Sequence, residues 1–366
     1  MASPIEMETD VTPSSAIMPL NSAPNEVLAA ESQNKSSARD DYCGPFCFEI
    51  DAHEDLLKDK VRTEAYQAAI YQNRHLFEGK IVLDIGCGTG ILSMFAAEAG
   101  AAKVIAVDMA KMVHMTKQIV ENNNFQDIIT VIKGKIENIE LPAGIQSVDI
   151  IVSEWMGFGL FHESSVLASV LYARDKWLKP NGIIFPDRCT LYIAAIEERT
   201  SKESRIDFWE NVYGFTMSCM RKFALKEPDF DCVDPKQVVS TDCLIKEVDL
   251  YTAQKADLIF SAKFNLSINR NDYVHALITY FNVEFTKCRQ RVGFSTSPFS
   301  PCTHWAQTVL YLDHEIIAKK GDTLTGTLQM KPNARIKRDI DLAIEINFKG
   351  EITEVDEVNT YHMRHI

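Results

Sequence analysis

Two glutamates nine residues apart flank a short loop near the middle of the chain. The residues between Glu154 and Glu163 read WMGFGLFH, and the glycines at 157 and 159 favour a tight return that presents both carboxylates to one point. Paired carboxylates predict a cationic partner with several hydrogen-bond donors. Guanidinium fits this description because its planar fork binds carboxylates bidentately. Glu163 also has a plainer explanation, since it opens a predicted helix and acids are favoured in a first turn.

A glycine-rich turn, GCGTG at 86–90, follows the apolar run 81–85 and precedes a predicted helix. Glycines let the backbone approach a ligand closely, and a helix N-terminus favours electron-rich groups. The dinucleotide fingerprint would need a glycine at position 91, where Ile91 stands. A second apolar run ends in Asp108, where a carboxylate is placed to bind a ribose hydroxyl pair. We interpret this pattern as an S-adenosylmethionine site; the alternative is a turn that binds no nucleotide.

Composition limits the partners that the chain can have. Its 366 residues are enough for two domains, and the net charge is −13. That charge argues against direct nucleic-acid binding, whose footprint is basic, and favours a basic partner. No apolar run approaches the roughly 18 residues of a membrane helix, and no secretory signal is evident.

The nine cysteines are scattered along the chain. Cys43 and Cys47 are closely spaced, but no second pair completes a zinc site, so no metal is expected. We expect most of these cysteines to be reduced thiols, which indicates a cytoplasmic or nuclear location, or both.

The order of predicted elements divides the chain. Residues 1–40 read as a disordered tail. Strands and helices then alternate up to residue 185, which predicts a parallel sheet with helices on both faces. Beyond residue 186, alternating runs predict antiparallel strands of a barrel or sandwich. The polar, aromatic-rich stretch 197–228 favours a helical arm over a strand.

Further motifs accompany the glycine turn and the double-glutamate loop, and they lie at 57–63, 73–77, 133–135, 173–178, 185–188, 209–215 and 303–305. With these motifs the chain resembles the type I protein arginine N-methyltransferases, which make asymmetric dimethylarginine. The resemblance runs from about residue 53 to the C-terminus. It implies a Rossmann-like, doubly wound S-adenosylmethionine-binding domain at 41–187 and an antiparallel β-barrel substrate domain at 188–366. It also implies that 197–228 is a dimerisation arm and that the protein is a homodimer.

The resemblance implies a set of cofactor contacts as well. Arg62 would bind the methionine carboxylate, Asp108 the ribose hydroxyls, and Glu137 the adenine side. Most family members have glutamate where Asp108 stands. The full expected set is His53, Arg62, Asp84, Gly86, Gly88, Asp108, Glu137 and Met156. Met156 and its bulky neighbours would also set how many methyl groups fit.

Glu154 and Glu163 match the catalytic acids of the family. Two fixed anions are needed because a sulfonium must come within about 3 Å of a guanidinium that is always protonated in solution. His304, partnered by Asp59, would either stabilise the site or relay the released proton. The implied substrates are arginine-containing proteins, such as histone tails or Arg-Gly-rich proteins.

One segment departs from the family pattern. At 43–47 the chain reads CGPFC, where the family has a Tyr-Phe-x-x-Tyr helix over the cofactor, and Gly44-Pro45 opposes a helix. This departure keeps open a catalytically weak paralogue that acts as a dimerising scaffold. A nucleotide-dependent oxidoreductase, or a methyltransferase for small molecules, is the remaining alternative.

Overall fold

The computed structural model describes residues 50–161, 165–336 and 339–364. The predicted tail at 1–40, the departing segment at 43–47 and Glu163 lie outside these ranges. Within the described ranges, no helix is both long enough and apolar enough to span a membrane.

The first half of the chain forms a five-stranded parallel sheet. In β1, Ile81–Ile85, four of the five residues are buried, as expected for a strand covered by helices on both faces. The other strands are β2, Lys103–Asp108; β3, Ile129–Lys133; β4, Val148–Ser153; and β5, Leu178–Phe185. Their order is β3-β2-β1-β4-β5, so the direction in which the chain adds strands reverses between β1 and β4. The carboxyl ends of β1 and β4 therefore frame the place where doubly wound sheets bind ligands.

Among the residues that the structure describes, six helices belong to the parallel half. They are α1, Ile50–Lys58; α2, Lys60–Tyr71; α3, Arg74–Phe77; α4, Ile91–Glu98; α5, Val113–Asn122; and α6, Ser165–Trp177. Asp59 is the N-cap of α2, and its side chain accepts a hydrogen bond from the backbone N–H of Arg62. Aspartate is a favoured N-cap because it satisfies a backbone donor that has no partner within the helix. The same carboxylate recurs in the candidate site.

The second half is antiparallel and barrel-like, as the alternating runs predict. Its strands are β6, Arg188–Ile196; β7, Asp229–Asp231; β8, Cys243–Asp249; β9, Phe260–Ser267; β10, Asp272–Phe285; β11, Val292–Ser295; β12, Gln307–Ala318; β13, Thr323–Pro332; β14, Ile340–Lys349; and β15, Glu354–Met363. One sheet has the order β7-β12-β10-β6-β8, with β11 paired to β10, and the other has the order β15-β14-β13-β9. In β14, buried residues alternate with more exposed ones, the period-two pattern of a strand with one face on the core.

The stretch 197–228 projects short helices from the antiparallel half. It contains α7, Arg199–Arg205; α8, Arg221–Ala224; and 3-10 turns at Asp207–Glu210 and Ser218–Met220. Ile206 and Leu225 anchor its base in a small buried cluster. Large apolar side chains between them are exposed, namely Phe208, Tyr213, Phe215, Met217, Met220 and Phe223.

The two halves share one core. A continuous cluster of buried apolar side chains extends from the parallel sheet into the antiparallel strands. Tyr66 of α2 packs edge-on against Phe285 of β10, with ring centroids 5.1 Å apart. Near the end of α6, Arg174 donates through Nη1 to the carbonyl oxygens of Leu250 and Ala253, which follow β8. Burial and charged hydrogen bonds thus fix the halves against each other.

Candidate active site

A cavity of about 720 Å³ opens at the carboxyl ends of β1 and β2. Seven of the residues predicted for the site line it, namely His53, Arg62, Gly86, Gly88, Asp108, Glu137 and Glu154. Separate parts of the sequence therefore converge on one chamber in the parallel half.

The glycine turn shapes the floor of the cavity. Gly86, Gly88 and Gly90 all have positive φ, a conformation that other residues adopt at a cost. A Cβ on Gly90 would lie 2.9 Å from Cγ2 of Thr116, which is too close for an ordinary contact. The Thr116 hydroxyl donates to the carbonyl oxygen of Gly88, so α5 holds the turn from behind.

Two backbone N–H groups hold the Asp108 carboxylate in place at the end of β2. Its Oδ2 accepts from the backbone N–H of Gly88 at 2.9 Å, and its Oδ1 accepts from that of Ala110 at 2.8 Å. Each carboxylate oxygen keeps a second lone pair, so the group can still accept hydrogen bonds from a ligand in the cavity. This geometry suits the predicted binding of a hydroxyl pair.

His53 and Glu137 lie on the cavity wall. The Nε2 atom of His53 is buried and has no hydrogen-bond partner among the described residues. Glu137 sits in a 3-10 turn and accepts through Oε1 from the Ser169 hydroxyl at 2.8 Å. A buried ring nitrogen without a partner is costly, and a polar ligand in the cavity would relieve that cost.

Asp84 and Met156 do not line the cavity. Asp84 is fully buried beneath the glycine turn, where Oδ2 accepts from the Ser93 hydroxyl at 2.6 Å. Burial, with a smaller contribution from the Asp108 charge, raises the pKa of Asp84 to about 7. Met156 is buried in the shared core. A direct cofactor contact by either residue stays a prediction.

Arg62 and Glu154 form a largely buried ion pair on the cavity wall. Nε and Nη2 of Arg62 both approach Oε2 of Glu154, at 3.4 and 3.3 Å. Nη1 of Arg62 donates to the Leu56 carbonyl oxygen at 3.2 Å, which holds the guanidinium in place. The sequence does not predict this contact, because it expects Arg62 to face the cofactor carboxylate.

Tyr66 fixes the backbone next to Glu154, a role that the sequence motifs do not reveal. Its buried hydroxyl donates to the carbonyl oxygen of Ser153 at 3.0 Å, next to Glu154 in the chain. Ser153 in turn donates through its hydroxyl to the carbonyl oxygen of Ile85 at 2.8 Å. The one sequence signal for this role is that Tyr66 follows Arg62 by four residues in α2, about one helical turn, so the two side chains lie on the same face.

Asp59 and His304 meet across the two halves, as the resemblance implies. The Oδ2 atom of Asp59 lies 2.7 Å from Nδ1 of His304 and accepts from the His304 backbone N–H at 3.0 Å. Burial raises the pKa of the Asp59 carboxyl, but the hydrogen bonds from His304 and from the Arg62 backbone outweigh it and leave that pKa below its ordinary value. Asp59 is therefore a fixed anion that orients the imidazole.

The antiparallel half holds the acidic loop (residues 154–163) at several described points. The loop makes the predicted tight return, because Gly157 and Leu160 exchange backbone hydrogen bonds of 3.0 and 2.9 Å. Nε1 of Trp305 donates to the carbonyl oxygen of Met156 at 3.3 Å. The ring of Phe158 packs on that of Phe230 in β7, with centroids 4.6 Å apart.

No group of three or more potential metal ligands occurs among the residues that the structure describes. The site as described is a chamber with one paired glutamate, next to a carboxylate–imidazole pair. Such a site can hold a polar ligand in the cavity and present fixed negative charge to a cationic partner.

Comparison with known proteins identifies the family. A model of the arginine methyltransferase oligomerization subdomain matches residues 187–351, and a methyltransferase domain model matches residues 82–182. Protein arginine N-methyltransferase 1 of Caenorhabditis elegans is 48% identical over 337 residues, which cover 92% of this chain and 96% of that protein. The chain belongs to the protein arginine methyltransferase family.

Other methyltransferases of this family agree. Protein arginine N-methyltransferase 8-B of Danio rerio is 52% identical over 312 residues, covering 85% of this chain and 74% of its own length. The structure of the Trypanosoma brucei PRMT1 enzyme–prozyme heterotetrameric complex with AdoHcy superposes with a TM-score of 0.84 at 39% identity, covering 87% of this chain and 99% of that chain. Arabidopsis thaliana protein arginine methyltransferase 10, in an open conformation, gives 0.78 at 31% identity, covering 87% and 100%.

This methyltransferase transfers methyl groups from S-adenosylmethionine to guanidino nitrogens of arginine in proteins, and its relatives named protein arginine N-methyltransferase 1 agree with type I activity. The predicted family and fold class are thus confirmed. These relatives, at about 50% identity, give no support to the alternative of an inactive scaffold.

Proposed function

We propose that Glu154 and Glu163 together bind the guanidinium of a substrate arginine at the inner end of the cavity. The observation that carries this proposal is the position of Glu154, which lines the cavity while its Oε2 is already paired with Arg62. We assign its Oε1 to the substrate. Glu163 follows in the same loop, outside the described residues, and its role rests on the family pattern.

The cavity residues fit S-adenosylmethionine as they stand. Asp108 offers acceptors to the ribose hydroxyls, and the Glu137 carboxylate would face the adenine side. The buried Nε2 of His53 would gain a polar partner. Arg62 is placed to share its guanidinium between Glu154 and the methionine carboxylate. When bound, the cofactor supplies an electrophilic methyl group on a sulfonium.

The fixed anions offset two cations that would otherwise repel each other at close approach. A carboxylate pair draws positive character towards the nitrogens that it contacts and leaves the lone pair of one terminal nitrogen available for attack. Electrostatic preorganisation of this kind usually contributes more to the rate enhancement than any other single effect. Asp59 would keep His304 oriented towards the substrate side, where the imidazole stabilises the site or accepts the released proton.

We assign basic proteins as substrates, with Arg-Gly-rich segments and histone tails as the first classes to test. The net charge of −13 favours encounters with such chains and disfavours direct nucleic-acid binding. The five free cysteines among the described residues agree with a reducing cytoplasmic or nuclear location.

We also assign a homodimer built through the arm at 197–228. Its exposed aromatic and methionine side chains, with Tyr213 96% exposed and Phe215 70% exposed, form a surface of the kind that associates with a partner. The match to an oligomerization subdomain supports this assignment.

The test is methyl transfer from labelled S-adenosylmethionine to an Arg-Gly-rich peptide and to a histone tail peptide. We expect Glu154→Gln and Glu163→Gln to lower kcat by roughly 10²-fold or more, because each removes one fixed anion. Glu121→Gln, at an exposed position of α5, is the matched control and should leave the rate unchanged. A Glu154→Gln enzyme with the wild-type rate would overturn the assignment.

A further inference from the structure

Cys232 and Cys302 form a close pair outside the cavity. Their sulfur atoms are in contact, and their Cα atoms are 5.9 Å apart, within the range that disulfides span. Both residues are exposed, so small thiol and disulfide reagents can reach them. They lie 70 residues apart in the chain, and the sequence gives no sign of the pairing.

Each cysteine adjoins a segment that holds the acidic loop. Cys232 directly follows β7, whose Phe230 packs on Phe158 of the loop. Cys302 precedes Thr303-His304-Trp305, which supplies the His304 contact to Asp59 and the Trp305 hydrogen bond to Met156. A bond between the two sulfurs would therefore join two separate supports of the acidic loop.

We propose that Cys232 and Cys302 are a reversible thiol–disulfide modification site that reinforces the active site when oxidised. The oxidant is a low-molecular-weight disulfide such as glutathione disulfide. One cysteine thiolate attacks the disulfide, forming a mixed disulfide and releasing one glutathione thiolate. The second cysteine thiolate attacks the protein sulfur of the mixed disulfide and releases the other glutathione. Two protein thiols are oxidised, one glutathione disulfide is reduced to two glutathiones, and the thiol protons pass to the released thiolates.

Other described cysteines do not compete for this role. Cys87 and Cys189 are buried, and burial raises the pKa of both thiols well above the ordinary value, which disfavours the reactive thiolate. Cys219 is exposed on the arm but free, as are the half-buried Cys243 and Cys288. Among the described cysteines, Cys232 and Cys302 are thus the pair whose Cα separation suits an intramolecular bond.

Joining the two segments has a defined physical effect. A disulfide that closes a long loop restricts the unfolded chain and so stabilises the folded one. In the present geometry the Asp59–His304 and Trp305–Met156 contacts coexist with the sulfur pair, so oxidation would preserve the arrangement of the site. Reduction would free the two supports to move independently. This effect goes beyond arginine methylation, although its kinetic readout rests on the proposed roles of the acidic loop and His304.

The test begins by equilibrating the full-length protein at graded ratios of reduced to oxidised glutathione. Free thiols are then blocked with iodoacetamide and the disulfides are mapped by peptide mass spectrometry. We expect a Cys232–Cys302 peptide that disappears with dithiothreitol. We expect the Tm of the oxidised protein to exceed that of the reduced protein by about 5 °C. Its kcat should be about twofold higher or more, since small misplacement of a positioned group slows a reaction, while the Kd for S-adenosylmethionine stays unchanged.

Cys232→Ser and Cys302→Ser should each abolish both differences, and Cys243→Ser should retain them. Absence of the Cys232–Cys302 peptide at every glutathione ratio would overturn the site. A disulfide that forms but changes neither Tm nor kcat would overturn its role in reinforcing the active site. Mapping and Tm need no methyl transfer, so failure of this proposal is distinguishable from failure of the proposed catalytic roles.

Discussion

The cofactor side and the substrate side of the site are built in different ways. On the cofactor side, Asp108 and Thr116 contact Gly88 across only 20 and 28 residues of chain, all within the parallel half. On the substrate side, Asp59 meets His304 across 245 residues and Met156 meets Trp305 across 149. One side is set by local turns and the other by the docking of two halves.

Because the two sides are built differently, we expect substitutions to change cofactor affinity and turnover separately. Cofactor affinity should depend on residues within the parallel half and tolerate small shifts of the antiparallel half. Turnover should depend on the contacts that cross between the halves. Matched substitutions on the two sides can test this division, and their expected effects range from a large loss of cofactor affinity to a small change in stability with pH.

Among the substitutions that compare the two sides, the largest effect is expected at Asp108. Asp108→Ala removes a charged acceptor, and hydrogen bonds to charged groups are worth about 1.5–3 kcal/mol, so the Kd for S-adenosylmethionine should rise about 10- to 100-fold. The kcat at saturating cofactor should remain close to that of the wild type. Isothermal titration and initial rates measure the two quantities. Asp108→Glu keeps the acceptor and is the control. A fall in kcat with an unchanged Kd would contradict the division.

A smaller effect, with the opposite pattern, is expected at Asp59. Asp59→Asn keeps an oxygen for the helix cap but removes the charge that orients His304, so kcat should fall about tenfold. The cofactor Kd should change little, because Asp59 does not line the cavity. Asp55→Asn, at an exposed position of α1, is the control. An Asp59→Asn protein whose cofactor Kd rises as much as its kcat falls would contradict the division between the two sides.

The smallest effect is on the pH dependence of the unfolding free energy, to which the carboxyls of Asp84 and Asp59 contribute with opposite signs. The folded-state pKa of Asp84 is about 7 against an ordinary 3.8, so the folded protein holds a proton that the unfolded chain releases. Its stabilising contribution is present at low pH and is lost as pH rises through about 7. Relative to Asp84→Asn, the wild type should lose about 1 kcal/mol of unfolding free energy between pH 6 and 7.5.

Urea unfolding of both proteins at several pH values measures this difference. A constant difference between them would contradict the raised pKa. The lowered pKa of Asp59 acts in the opposite direction, because its contribution is lost only as pH falls below the ordinary range of an aspartate. The two sides of the site thus respond to acid with opposite signs.

Local patterns predict the parallel half well. The apolar run at 81–85, which reads as a strand, is β1 to the residue. The glycine turn, the helix after it and Asp108 lie where the pattern indicates. This success follows from the physics, since strand, turn and helix are neighbours in sequence. The same locality makes the cavity wall predictable.

The antiparallel half shows where sequence patterns stop being informative. The alternating runs that predict strands lie at 190–196, 258–268, 273–285, 308–312, 323–330 and 340–348. The strands β7, β8, β11 and β15 lie outside these runs and are not predicted. In β15 the exposed positions 354 and 356 are acidic. β7 and β11 are very short. The pairing of β8 with β6 is interrupted by a register shift. Contacts such as Arg62–Glu154 and Cys232–Cys302 depend on the packed fold, and spacing along the chain carries no trace of them.

Helix α6 leads away from the acidic loop, and Arg174 near its far end is bonded to the carbonyl oxygens of Leu250 and Ala253. These two hydrogen bonds hold the C-terminal part of α6 against the antiparallel half. Loss of the Arg174 side chain would therefore leave α6 less firmly held against the antiparallel half, although neither Leu250 nor Ala253 lines the cavity.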